Sequence, residues 1–380
     1  MLPFLGEAFG NPSSAHSFGR RAREALDDAH ERIARAIGAD AREIVFTSGG
    51  TEAINLALKG AAWAGRAKGH RIVTSPVEHH AAGHALGHLE KFGFEVVALP
   101  VDRYGRVDPA DVERALTDRT ILVSVMAANN EVGTIQPVAE VAEVVRARKG
   151  ILFHVDAVQA APWLDLDLDG LGADLVSIAA HKAEGPKGTG VLWIRRGTHL
   201  LAQQHGGSQE RHRRAGTENV AGAVGMAVAF ELRAAERARV APLVRAQRDR
   251  LLAAVATGGI QQTGHPVERL PHILSVIVPG VDGASAALAL DLEGIAVSTG
   301  SACATGSAEV SHVLSAMGYP DDEARGALRI SLGRTTTDAE IDEAIRVVPG
   351  VLRRLASAPS GNTDDPTTTV AVTARVEAGP

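Results

Sequence analysis

The sequence predicts an α/β fold: a large layered unit on a mainly parallel sheet, then a smaller α+β unit. Three observations carry this. Short β-branched runs alternate with helical patterns as far as residue 194. Runs such as ILFHVD and DLVSIA are apolar without alternation, as strands covered on both faces require. After a long Ala-rich helical stretch the alternation stops and the strands become widely separated.

In chain order, Arg20–Gly38 places Leu26, Ala29, Ile33 and Ile37 on one helical face, with Gly38 as the stop. Strand and helix patterns then pair as 43–48 with 52–59, 71–75 with 80–91, and 121–127 with 138–147. Strand patterns at 151–156, 175–178 and 190–194 complete the set. A helical segment over 222–256 leads to strand patterns at 272–278 and 328–332. We place the boundary near residue 237, giving a large unit over 1–237 and a small one over 238–356. Residues 357–380, rich in Ser, Thr, Pro, Gly and Asp, are expected to form a disordered tail.

Composition excludes several function classes. Of 380 residues, 45% are apolar and 22% charged, which is globular. The net charge is −6 and no basic stripe interleaved with aromatics occurs, so a nucleic-acid binder is disfavoured. With only 8 Phe, 3 Trp and 2 Tyr, Ala, Val, Leu and Ile must fill the core. No run reaches the ~18 apolar residues of a membrane span, and Met1–Gly10 lacks a signal-peptide pattern, so we expect a cytoplasmic protein away from membranes. The single cysteine, Cys303, excludes an intrachain disulfide and a four-cysteine metal site.

Five segments could carry chemistry. In IVFTSGGTEAINLALKG a strand pattern meets Ser48-Gly49-Gly50-Thr51 and then a helix, where free N–H groups and the helix dipole suit a phosphate. Alone, that segment is equally an ordinary strand-to-helix turn. Asp156 ends one strand pattern and Lys182 follows another, 26 residues later, so both should emerge at the carboxyl edge of the sheet, where open α/β folds bind ligands. Singly, one is a helix cap and the other a solvated lysine. Together with a phosphate-type turn they point to a pyridoxal phosphate site, with a Schiff-base lysine and a carboxylate on the pyridinium nitrogen.

In VEHHAAGHALGH, His80, His84 and His88 share a helical side, which packing explains better than metal binding, while His79 is placed to stack on a flat cofactor. Cys303 lies in VSTGSACATGS, whose small residues cannot bury it, so a mobile nucleophile is the better assignment. In LRISLGRTTT, Arg329 on a strand could fork onto a carboxylate, and Arg334 follows in the turn.

This set resembles the cysteine desulfurases of the NifS/IscS type, within the fold type I pyridoxal phosphate enzymes. The matching pieces run in the family's order from GNPSSAHSFG through TSGGTEAIN, VEHH, ANNEVGTIQ, HVDAVQ, AAHKAEGPKG, RRAGTEN and TGSACATGS to LRISLGRTTT. The resemblance implies a seven-stranded sheet between helices and pyridoxal 5'-phosphate as cofactor. Lys182 would form the Schiff base, Asp156 would meet the ring nitrogen, His79 would stack, and Gln159 would bond the phenolic oxygen. Gly50, Thr51 and His181 would hold the phosphate, and Thr217 would reach the phosphate of the other subunit of a homodimer. Asn130 and Arg329 would grip the carboxylate of L-cysteine. Cys303 would take the sulfur as a persulfide, releasing alanine, for an iron–sulfur scaffold, a tRNA-thiolating enzyme or another sulfur acceptor.

The chain departs from the family in three places. It begins just before GNPSS, without the strand and the segment that usually line one active-site wall. Ala179 stands where a phosphate-binding serine is usual, which implies weaker cofactor retention, and Ser177 is two residues too far back to replace it. The Thr/Pro-rich ending has no likeness to the scaffold-docking C-terminus. Two other expectations therefore stand beside the desulfurase: another fold type I enzyme, such as a selenocysteine lyase or small-amino-acid aminotransferase, and a non-catalytic homologue.

Overall fold

The computed structural model describes residues 1–300 and 310–357. Cys303 and the tail beyond Ser357 therefore lie outside the described residues. The strands are β1 (Ile44–Thr47), β2 (Arg71–Thr74), β3 (Glu95–Ala98), β4 (Thr120–Met126), β5 (Leu152–Asp156), β6 (Leu175–Ala179), β7 (Gly190–Ile194), β8 (Gln261–Gln262), β9 (Ile273–Ile277), β10 (Ser298–Thr299) and β11 (Ala327–Ser331). They form a seven-stranded sheet ordered β1-β7-β6-β5-β4-β2-β3 and a four-stranded sheet ordered β10-β11-β9-β8.

The large sheet is mainly parallel, as expected. Its pairings from β3 through β2, β4 and β5 to β6 are parallel. At the other end β7 runs antiparallel to both β6 and β1. The double reversal restores the direction of β1, so its end at Thr47 lies on the same edge as the ends of β5 and β6. Every residue of β4, β6 and β7 is buried, which is why those runs are apolar on both faces.

The helix Ser17–Ile37 buries Leu26, Ala29, Ile33 and Ile37. His16 caps it by accepting the Gly19 N–H, and Gly38 ends it at φ 73°. It packs on the helix Val220–Val255, which is continuous through residue 237. The last helix, Asp338–Ser357, contains Pro349 and was not anticipated.

A polar chain crosses the interior of the large sheet. Ser124 on β4 bonds His154 Nδ1 at 2.9 Å, and His154 Nε2 bonds Ser177 on β6 at 2.9 Å. All three are fully buried. Burial pushes the His154 imidazole down to about 3, so it is neutral in the folded protein at every ordinary pH.

Between the unfolded value near 6.5 and about 3, the unfolded chain binds a proton at His154 that the folded chain refuses. Its contribution to stability is complete above that window and declines as pH falls through it. His154→Asn should lower stability by about 2 kcal/mol at pH 7.5 through its two serine partners. It should also flatten the dependence of the urea unfolding free energy on pH between 4 and 6.5, by up to about 1.4 kcal/mol per pH unit. A slope equal to that of the parent protein would contradict the assignment of a buried neutral imidazole.

Candidate active site

The parallel register brings the site together. Asp156 closes β5 and pairs across with Ser177 on β6. Two residues beyond Ser177, β6 ends at Ala179 and runs into a 3-10 turn, Ala180–Ala183, that carries His181 and Lys182. The carboxyl ends of two adjacent strands thus place Asp156 and Lys182 on one cavity of 260 Å³. Gly50, Thr51, His79, Asn130, Gln159, His181 and Arg329 line it as well, so among the described residues every site residue expected from the sequence is present except Thr217; Cys303 lies outside the described residues. Thr217 lines a different cavity with Ser48, Thr189 and Glu218.

Glycines shape the turn after β1. Gly49 sits at φ 148°, a conformation side chains avoid. A Cβ on Gly190 of β7 would lie 2.6 Å from the Gly49 carbonyl carbon, so this close approach requires glycine on the strand. A Cβ on Gly50 would come within 2.8 Å of Val158 Cγ2 and 3.6 Å of the Ala179 methyl. The helix Gly50–Gly65 begins here, and its first N–H groups have no partner within the helix.

His79 caps the helix His80–Glu90. Its Nδ1 accepts the Ala81 N–H at 3.1 Å, which leaves the ring proton on Nε2 and fixes the ring plane. Burial, then the neighbouring His80 and Lys182, hold its pKa down at about 4. His181 is likewise lowered, by burial first and then by Lys182. Asp156 is 4% exposed and accepts one N–H, from Val158 at 2.9 Å. Burial lifts its carboxyl to about 6, and a cationic ring nitrogen beside it would reverse that shift.

These residues fit pyridoxal phosphate: a buried carboxylate in need of a cation, an oriented flat ring, a lysine, and a helix start whose glycine leaves room for an anion. Ser177 is committed to His154, so it does not supply the hydroxyl that Ala179 lacks.

The smaller sheet joins the site through Arg329 on β11, whose Nη1 donates to the Asn130 carbonyl at 2.8 Å. Next in the chain, Glu131 is 3% exposed and accepts the Ser311 hydroxyl at 2.5 Å. Burial raises the Glu131 pKa. A Cβ on Gly300 would stand 3.3 Å from the same carboxylate. Glu131 therefore sits between the two described flanks of the segment that contains Cys303. His312 donates from Nε2 to the Glu78 carbonyl at 2.9 Å, where the carbonyl can only accept. The motif ANNEVGTIQ contained this glutamate, but nothing in the sequence linked it to residue 311.

The histidine stripe divides. His80 lies against His84 and His312, with ring centroids 5.4 and 4.5 Å apart, whereas His88 packs on Phe92. Among the described residues no three His, Cys, Asp or Glu side chains are placed to hold a metal ion.

Residues 1–344 match the family described as aminotransferase class-V. The chain is 48% identical over 357 residues to the cysteine desulfurase IscS of Dictyoglomus turgidum, covering 93% of this chain and 90% of that one. It is 47% identical over 358 residues to the cysteine desulfurase IscS of Methanosarcina thermophila, covering 93% and 88%. Among solved structures, a NifS-like protein superposes with a TM-score of 0.88 at 38% identity, covering 93% of this chain and 94% of that one. SspA in complex with cysteine superposes at 0.78 with 32% identity, covering 88% and 94%.

The Glu131 contact is testable by itself. Ser311→Ala should cost about 1–3 kcal/mol in thermal or urea unfolding, because a buried carboxyl loses a donor, and Ser311→Thr should recover most of it. Equal stability of the alanine variant would show that the bond contributes nothing.

Proposed function

This chain belongs to the aminotransferase class-V family and is a pyridoxal-phosphate-dependent cysteine desulfurase, and we propose that it converts L-cysteine to L-alanine in the Lys182 cavity and carries the sulfur away as a persulfide on Cys303. The observation that carries the site assignment is that Lys182, Asp156 and Arg329 line one cavity although they come from β6, β5 and the smaller sheet.

Bound here, the cofactor would act as an electron sink for the substrate α-carbon. Asp156 would keep a proton on the ring nitrogen, and Gln159 would bond the phenolic oxygen. His79, held by its cap, would cover the ring face. Gly50, Thr51 and His181 would receive the phosphate. Lys182 would hold the cofactor and, once displaced, move the α-proton of the substrate. Asn130 and the Arg329 fork would orient the substrate carboxylate.

In the sulfur step the Cys303 thiolate attacks the substrate Sγ. The Cβ–S bond breaks, its electron pair returns to the β-carbon, and that carbon takes a proton to become the methyl of alanine. Sulfur is left on Cys303, so no external oxidant or reductant is consumed. A thiol with this task suits the cytoplasm, where thiols stay reduced.

Thr217 lies outside the Lys182 cavity of its own chain, which supports a homodimer in which it serves the other subunit. The acceptor of the persulfide would be an iron–sulfur scaffold or a tRNA-thiolating enzyme.

Two experiments test the proposal. With pyridoxal phosphate and a reductant, the protein should release sulfide and alanine from L-cysteine in equal amounts. Cys303→Ala should abolish sulfide release while the cofactor absorbance stays intact, and surviving turnover would instead favour an aminotransferase or a lyase. Ala179→Ser places a hydroxyl where the methyl now faces Gly50 and should tighten cofactor binding about fivefold, near 1 kcal/mol. An unchanged dissociation constant would sink the claim that this methyl weakens phosphate binding.

A further inference from the structure

The Lys182 cavity has a neighbour. A second cavity of 220 Å³ shares Asn130, Gln159, His181, Lys182 and Arg329 with it. The rest of its wall includes Trp163, Glu184, Arg233 and His272, none of which the reaction above employs.

That wall is rigidly built. The His272 ring stacks on Trp163 with centroids 4.5 Å apart and planes 12° from parallel. The Arg233 guanidinium carbon stands 4.7 Å from the Trp163 centroid, a cation–π contact. The side chain of Arg233 is 4% exposed and donates from Nη2 to Glu184 at 3.1 Å. Among the described residues its Nε has no hydrogen-bond partner, and neither has His272 Nδ1, although His272 is only 8% exposed. Two buried polar atoms left unmatched in the wall of one cavity carry a cost that packing alone does not explain.

Charge decides what enters. Among the described residues, Lys182, Arg233 and Arg329 line the cavity against one carboxylate, Glu184. Glu184 is itself shared, since it also accepts from Arg334 Nε at 2.6 Å. With Lys182 committed to the cofactor and Arg329 to the substrate carboxylate, Arg233 faces a Glu184 whose charge Arg334 already shares. Burial, then Arg233, Lys182 and Arg329, hold the His272 pKa down at about 3, which leaves a neutral ring able to donate from one nitrogen.

We propose that this cavity is an anion subsite, in which the Arg233 guanidinium and the His272 ring hold a carboxylate or small oxyanion next to the substrate position at Asn130 and Arg329. The substrate position rests on the functional reading above, whereas the subsite rests on Arg233, His272 and Trp163. Such a subsite would admit a second anionic group beside the amino-acid carboxylate, from a substrate side chain or a free anion that competes with L-cysteine.

The test uses the cofactor-loaded protein, so that the Gly50–Thr51 turn is already filled, with chloride matching ionic strength. Sulfate binding is followed by calorimetry and by its Ki against L-cysteine in alanine release. Sulfate should compete, and Arg233→Leu should raise the ratio of sulfate Ki to cysteine KM about tenfold, with partial recovery in Arg233→Lys. His272→Gln is the second variant, in case Arg233→Leu does not fold, and should raise the same ratio.

L-aspartate against L-asparagine identifies the source. An Arg233-dependent preference for aspartate assigns the second anion to a substrate side chain, and a response to sulfate alone assigns it to a free oxyanion. No sulfate binding, or a ratio unchanged in both variants because Arg329 alone takes the anion, overturns the subsite. Sulfate binding that depends on Arg233 in a protein inert toward L-cysteine would instead overturn the functional reading and leave the subsite standing.

Discussion

Everything in the site turns on one buried carboxylate. Asp156 is placed at the buried end of β5, with a single N–H among the described residues to stabilise its charge. An ion in that position is tolerable only opposite a cation, and the protonated ring nitrogen of the proposed site would be that partner. The parallel pairing of β5 with β6 then dictates where the lysine stands, because β6 runs only two residues past the level of Asp156 before the turn that carries Lys182. The same edge receives the Gly49–Gly50 turn only because β7 reverses twice between β6 and β1.

The smaller sheet is tied to that edge by consecutive residues of one loop. The Asn130 carbonyl takes Arg329, and the Glu131 carboxylate takes Ser311. A shift of this loop would therefore move the arginine expected to hold the substrate and the flank of the cysteine segment in concert. Two neighbouring residues with separate long-range partners, Arg329 on β11 and Ser311 at the start of the helix His312–Ala316, hold this loop more tightly than either bond does alone, since each bond limits the freedom of the other.

Much of this was legible in the sequence. β4, β5, β6 and β7 announce themselves as apolar runs because burial on both faces removes alternation, and Asp156 and Lys182 stand at their ends by simple counting. What escaped has physical reasons. β3 is a half-exposed edge strand whose residues, EVVA, carry little hydrophobic signal. β8 and β10 are two residues long and exist through their partners in the smaller sheet. The last helix contains Pro349, which local rules read as a break, yet Val347, Val348, Val351 and Leu352 bury around it and packing overrides propensity. Trp163 lies in the turns after β5 and His272 just before β9, so no spacing rule could have joined them, and Thr217 is uninformative within a single chain.

The histidines around the site share one electrostatic condition. His79, His154, His181 and His272 are all lowered by burial, and the cations Lys182 and Arg233 reinforce this where they are near. Their neutrality has a consequence for recognition. Positive charge facing a bound carboxylate comes from arginines, which do not titrate at accessible pH, while the imidazoles supply shape and single hydrogen bonds. Substrate carboxylate affinity should thus be insensitive to pH through the range in which exposed histidines change charge. The pH response of turnover is left to the groups that exchange protons in the reaction, and the arginines can hold a substrate in place without competing for those protons.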